Sequence, residues 1–100
     1  MKTNPTINLA IQILPMAIDK PAAYAAVDKA ISIIEQSGLP YKVCPFETVI
    51  EGTYDEVMSV VKAMQEAVLD GGVAHILVNI KIQRMRDTDV RIEEKLEKYP

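Results

Sequence analysis

Apolar and polar residues alternate along two stretches of the chain and recur at helical spacing along three others. The alternation predicts strands near residues 6–14 and 74–85, because successive side chains of a strand point to opposite faces. Helical spacing predicts amphipathic helices near residues 21–37, 54–70 and 88–98. Each of these elements therefore has an apolar side that must be buried.

The central part of the chain predicts a hairpin that leads directly into a helix. Residues 41–44 and 46–51 are rich in β-branched and aromatic side chains, and Pro45 separates them. Thr53 and Glu56 have the spacing of a capping box, in which each satisfies a backbone N–H near the other. The second helix should therefore begin immediately after the third strand.

Capping residues also set the ends of the other helices. Asp19 is a good N-cap for the first helix, and Gly38 can end it in the left-handed conformation. Gly71 follows the second helix, and either Asp87 or Thr88 can cap the last one.

The element order is therefore β-α-β-β-α-β followed by a terminal helix. Right-handed crossovers place the first and third strands at the centre of a four-stranded antiparallel sheet, with both main helices on one face. This is the ferredoxin-like α/β (α+β) sandwich. Its other sheet face is left without a covering layer.

The uncovered sheet face, called the open face below, carries a mixture of apolar and amide side chains. The first strand contributes Asn8, Ala10, Gln12 and Leu14, and the fourth contributes His75, Leu77, Asn79, Lys81 and Gln83. The third strand contributes either Phe46, Thr48 and Ile50 or Glu47, Val49 and Glu51, since both sets contain apolar residues. Such a face is typical of an oligomer interface or of a ligand-binding surface.

Length and composition indicate one folded domain over residues 1–100, with 49% hydrophobic and 25% charged residues. No apolar run approaches the ~18 to 20 residues needed to span a bilayer, and no signal peptide is recognisable, so we expect a cytoplasmic protein without a membrane partner. The net charge of −3 gives no basic field for a phosphate backbone, which argues against nucleic acid as a partner.

Few side chains point to catalysis or metal binding. Cys44 and His75 are the only residues of their types, which excludes an internal disulfide or a cysteine-ligated cluster and gives no metal site. Lys81 is expected to extend to solvent or to pair with a glutamate. The acids Glu47 and Glu51 are either a cation-binding pair or separate solvated charges.

Two enzymatic or nucleic-acid functions of this topology do not fit the sequence. An acylphosphatase needs an anion-binding loop with an arginine after the first strand, and residues 14–20 contain none. An RNA-recognition domain needs stacked aromatic residues on the first and third strands, where Phe46 is the only candidate. We therefore expect a non-catalytic protein that binds a ligand or assembles, with no cofactor.

The stretch TVIEG at residues 48–52, followed by YDEVM at residues 54–58, resembles the small thiamine-binding protein family with a ferredoxin-like fold, long catalogued as a domain of unknown function. The resemblance covers nearly the whole chain and includes IKIQRMRD at residues 80–87. It implies a cytoplasmic, non-catalytic homotetramer that binds thiamine or its hydroxymethylpyrimidine moiety.

Thiamine joins a flat aminopyrimidine to a cationic thiazolium, so amide, hydroxyl and carboxylate side chains suit it. The predicted ligand-binding residues are Gln12, Glu47, Thr48, Glu51 and Asn79. The alternative is a structural or regulatory oligomeric interaction domain that binds another small metabolite, such as an amino acid.

Overall fold

The computed structural model describes residues 4–99. The first three residues and the last residue of the predicted domain lie outside this range. In chain order the elements are β1 (Thr6–Pro15), α1 (Lys20–Ser37), β2 (Tyr41–Val43), β3 (Thr48–Thr53), α2 (Tyr54–Asp70), β4 (Ile76–Gln83) and α3 (Ile92–Leu96). The four strands form one antiparallel sheet in the order β2-β3-β1-β4, and α1 and α2 pack on each other and over β1 and β3. The predicted ferredoxin-like arrangement is confirmed.

The two long helices begin and end at the predicted capping residues. The Asp19 carboxylate accepts a hydrogen bond from the Ala22 N–H at 2.8 Å, and Gly38 adopts a φ of 77°. The Thr53 side chain accepts from the Glu56 N–H, and the Glu56 carboxylate accepts from the Thr53 N–H. Within residues 4–99, none of the helices combines the length and the apolar character that crossing a membrane requires.

The register of β1 against β3 decides which side of β3 faces the helices. Leu9 lies opposite Ile50, and Ile11 lies opposite Thr48, so these four side chains share the face that α1 and α2 cover. All four are buried. The sequence left open which side of the third strand lies on the open face. The register shows that it is the side with Glu47, Val49 and Glu51.

The hairpin between β2 and β3 differs from the prediction at its turn. The predicted start of the third strand at residue 46 is wrong, because Pro45 and Phe46 form a two-residue turn closed by a 3.0 Å hydrogen bond from the Cys44 N–H to the Glu47 carbonyl. The strand also continues past its predicted end to Thr53, since Gly52 and Thr53 still pair with β1.

The terminal helix is shorter than predicted, and neither Asp87 nor Thr88 caps it. Residues 89 and 90 are instead hydrogen-bonded to the start of β1: the Thr6 N–H donates to the Asp89 carboxylate and the Val90 N–H donates to the Thr6 carbonyl, both at 2.8 Å. Arg91 occupies the N-cap position, but its side chain pairs with the Asp89 carboxylate at 2.7 Å and makes no capping hydrogen bond to α3. Pairing with β1 therefore delays the helix to Ile92.

Candidate functional site

A groove opens where β1 continues beyond β3. The pairs between these strands end at Ile11 and Thr48, whereas β1 and β4 stay paired up to Pro15. Residues 12–14 of β1 therefore have a neighbouring strand on one side only. On the other side, α1 and residues 43–48 enclose a groove of about 280 Å³.

The groove has mainly apolar walls with two exposed aromatic side chains. Ile11 and Ile13 line it from β1, and Tyr24, which is 62% exposed, lines it from α1. Phe46 stands at the tip of the hairpin turn and is 82% exposed. Apolar and aromatic walls with a few polar groups are typical of small-molecule sites.

Three of the predicted ligand-binding residues line this groove: Gln12, Glu47 and Thr48. Thr48 is buried and lies on the side of the sheet that faces the helices, whereas the Glu47 side chain extends over the open face. Glu47 and Thr48 both line the groove because they are adjacent in the chain, at the junction between the turn and β3. The geometry of the turn therefore brings together residues from opposite faces of the sheet.

Asn79, the fourth predicted residue, does not line the groove but contacts Gln12, which does. The two residues are register partners on β4 and β1, and the Asn79 side-chain NH₂ donates a hydrogen bond to the Gln12 side-chain oxygen at 3.2 Å. In this contact the Gln12 side-chain oxygen is the acceptor. The Gln12 NH₂ group is then the donor end of that side chain.

Lys81 pairs with Glu47, as one of the sequence hypotheses expected. Its Nζ lies 2.8 Å from Glu47 Oε1, and the two side chains are 74% and 31% exposed. Lys81 starts on β4 opposite Ala10, whose small side chain lets the lysine extend across β1 to the Glu47 carboxylate. The Glu47 carboxylate is therefore already paired with an exposed lysine of the same chain.

Glu51, the fifth predicted residue, lies at the other end of the open face. It is only 8% exposed, and its Oε1 accepts a 2.6 Å hydrogen bond from the Ile92 N–H at the start of α3. The structure therefore does not bring Glu51 to the groove, and the two acids Glu47 and Glu51 have different partners. Across residues 4–99, no three His, Cys, Asp or Glu side chains are grouped as a metal ion would require.

The polar residues beside Glu51 also hold the C-terminal segment. The Asn8 NH₂ donates to the Val90 carbonyl at 3.0 Å. Asn8 is buried, and its side-chain oxygen has no hydrogen-bond partner among the described residues. This end of the open face is therefore covered by the chain itself, unlike the groove.

Sequence reasoning missed the contribution of α1 to the groove. Tyr24, Val27 and Ile31 follow the spacing of a core stripe, and their exposure depends on where β3 ends. The early end of β3 is set by the turn at Pro45, so only the three-dimensional arrangement shows that this helix lines a site.

A family model described as thiamine-binding protein matches residues 9–100 of the chain. Among curated proteins, UPF0045 protein CPE1503 of Clostridium perfringens is 35% identical over 94 residues, which are 94% of this chain and 97% of that protein. UPF0045 protein YqgV of Bacillus subtilis is 29% identical over 91 residues, covering 87% of this chain and 88% of the relative.

Solved structures show the same fold. A domain of unknown function DUF77 from Bacillus cereus superposes with a TM-score of 0.89 at 37% identity, covering 97% of this chain and 92% of that one. A proposed thiamine biosynthesis/salvage protein from Thermotoga maritima gives a TM-score of 0.85 at 27% identity, covering 96% of this chain and all of the other.

Proposed function

The chain belongs to the thiamine-binding protein family, and on that premise we propose that it is a non-catalytic protein that binds thiamine or its hydroxymethylpyrimidine moiety. The observation that carries the proposal is the groove, in which Gln12, Glu47 and Thr48 stand beside exposed aromatic side chains. The similarity to a Thermotoga maritima protein proposed for thiamine biosynthesis or salvage supports the same ligand class. We also propose that the protein is cytoplasmic, as expected from the sequence.

The polar groups of the groove match the two halves of thiamine. The Gln12 NH₂ can donate to a pyrimidine nitrogen while the Gln12 oxygen accepts from Asn79, and the Thr48 hydroxyl can donate or accept. The Glu47 carboxylate can face the cationic thiazolium. Phe46 and Tyr24 offer aromatic surface for the flat rings.

The thiazolium must displace Lys81 from Glu47. An exposed ion pair of this kind contributes only about 0–1 kcal/mol, because water competes for both charges. Replacement of the Lys81 ammonium by the thiazolium at Glu47 therefore costs little free energy. A partly closed groove would strengthen the contact with the ligand by excluding water.

We propose that a second subunit supplies this closure in a homotetramer. The open face presents exposed Leu14 and Leu77, and the free edge strand β4 leaves Ile80 and Ile82 exposed on its other side. A long apolar edge strand is a template for pairing with another chain. Two such surfaces on one small subunit support assembly in two directions.

Substitution of Glu47 by glutamine tests the ligand assignment. We expect Glu47→Gln to weaken thiamine binding about tenfold or more, since a hydrogen bond or contact to a charged group contributes roughly 1.5–3 kcal/mol. Thr48→Val should also weaken binding, through loss of one hydroxyl. Isothermal titration calorimetry with thiamine measures both effects.

The matched control is Glu66→Gln, which removes the same charge from an exposed position on α2. Each variant must keep the wild-type mass by light scattering. Unchanged thiamine affinity in both Glu47→Gln and Thr48→Val would move the site away from the groove. Binding of an amino acid in place of thiamine in the same titrations would favour the alternative, an oligomeric interaction domain that binds another metabolite.

A further inference from the structure

A second depression lies on the open face beside the groove. It measures about 260 Å³, has Ala10 and Val49 at its base, and is bordered by Lys81, Gln83 and Lys95. None of the described residues that line it is acidic. Lys81 is paired with Glu47, which lies outside this lining, whereas the charge of Lys95 is not balanced by any carboxylate in the lining of the depression.

The depression and the groove are joined by the Lys81–Glu47 ion pair. Lys81 lines the depression, Glu47 lines the groove, and their charged atoms are 2.8 Å apart. Ala10 in the depression and Gln12 in the groove point to the same face of β1, about 7 Å apart along the strand. A ligand with two charged ends can therefore reach both places.

The charges at this junction suit a ligand that carries both a cation and an anion better than one that is only cationic. A thiazolium that binds Glu47 meets the displaced Lys81, and Lys95 lies on the far side of the same depression. A ligand that carries an anion next to its cation removes this repulsion, because its cation faces Glu47 and its anion faces the two lysines. Lys81 can turn from Glu47 to that anion, since the exposed pair is weak.

We propose that the ligand of this protein is a phosphate ester, with its phosphate in the depression between Lys81 and Lys95 and its ring system in the groove. The inference rests on the proposed function and narrows it to thiamine phosphates over free thiamine. Lysine ammonium groups bind phosphate as point charges, and each charge-assisted hydrogen bond adds to the affinity. Lys95 is then the residue that distinguishes the phosphorylated from the unphosphorylated ligand.

Calorimetric titration of the full chain with thiamine, thiamine monophosphate, thiamine diphosphate and inorganic phosphate tests this. The phosphorylated forms should bind at least about tenfold more tightly than thiamine. A tenfold gain in affinity is the lower end of what one charge-assisted hydrogen bond contributes. Lys95→Gln should lower the affinity for thiamine monophosphate by a similar factor. The ratio of the affinity for the monophosphate to the affinity for thiamine should then fall towards one. Lys62→Gln, which removes the same charge from an exposed position on α2, should leave that ratio unchanged.

The outcomes separate the two proposals. Equal affinities for thiamine and its phosphates would overturn this inference and leave thiamine binding in place. A preference for phosphates that survives Lys95→Gln would also overturn it, since the phosphate would lie elsewhere. Binding of inorganic phosphate alone, or of none of the four compounds, would overturn the proposed function as well.

Discussion

At the scale of single residues, three glutamates near the sheet have three different roles because each faces a different partner. Glu47 faces a lysine across the sheet, Glu51 accepts from the backbone of the C-terminal segment, and Glu56 caps α2. The hydrogen bond from the Thr53 backbone, and then the one from its side chain, hold the pKa of Glu56 below its ordinary value of 4.5. Of these three roles, only the capping role of Glu56 follows from sequence spacing alone.

The lowered pKa of Glu56 predicts a pH dependence of stability. Because the folded-state pKa is the lower one, the contribution of the carboxylate is present above the unfolded pKa and is lost as pH falls through the folded pKa. Glu56→Gln keeps an acceptor for the capping box but does not titrate. The difference in unfolding free energy between wild type and Glu56→Gln should be constant above about pH 5 and shrink at lower pH.

Urea unfolding at a series of pH values measures this difference. Glu66→Gln is the control, since it removes an acid further along the same helix, outside the first turn. A difference between wild type and Glu56→Gln that does not change with pH would contradict the assigned role.

At the scale of elements, the C-terminal segment depends on the sheet for its structure. The five-residue helix α3 is too short to be stable by itself. Hydrogen bonds from Asn8 and Ile92, together with the pairing of Thr6 with residues 89–90, tie it to the ends of β1 and β3. The position of the segment therefore depends on these hydrogen bonds with the sheet.

Replacement of Glu51 by alanine should release this segment. The Ile92 N–H would lose its acceptor, and an unsatisfied buried donor costs about 1–3 kcal/mol. Hydrogen exchange should become faster at residues 90–96 in Glu51→Ala, while the amides of α1 and α2 keep their protection. Glu51→Gln retains a neutral acceptor and should have a smaller effect.

The same variants test whether Glu51 also contacts a ligand. If Glu51→Gln weakened thiamine binding without faster exchange at residues 90–96, a direct ligand contact would be supported. Unchanged exchange in Glu51→Ala would contradict the role in holding the segment.

At the scale of the whole molecule, the helices cover the centre of the sheet and leave β4 at an exposed edge. Ile76 and Val78 are partly buried against the core, whereas Ile80 and Ile82 on the same side of the strand are exposed. The sequence predicted one continuous apolar face for this strand. Two helices over β1 and β3 do not reach its far end, which leaves apolar surface uncovered at this edge of the single chain.

A charge at this edge should disrupt the proposed homotetramer. Ile80→Lys places an ammonium group on the free edge strand, where natural proteins use lysine to prevent edge pairing. Because Ile80 is already exposed in the single chain, the variant should fold but give a smaller mass by light scattering. Leu69→Lys is the control, since it changes an exposed apolar residue on α2 in the same way.

A wild-type chain with the mass of a monomer at micromolar concentration would contradict the proposed assembly. A tetrameric Ile80→Lys variant would instead place the interfaces away from this edge of β4.

The sequence by itself determined the element order, the caps of the two long helices and the alternation of apolar and polar sides along the strands, because these depend on residues close together in the chain. It therefore also determined the fold class and the residues of the open face on β1 and β4. The tertiary structure alone decided which side of β3 is buried, where β3 begins, and where the terminal helix starts. Those features depend on pairing between residues distant in sequence, as in the contacts of β1 with Thr48 and with residues 89–90. The groove and its Glu47–Lys81 pair exist only after that pairing, which is why sequence reasoning placed Glu47 and Glu51 together and the structure separates them.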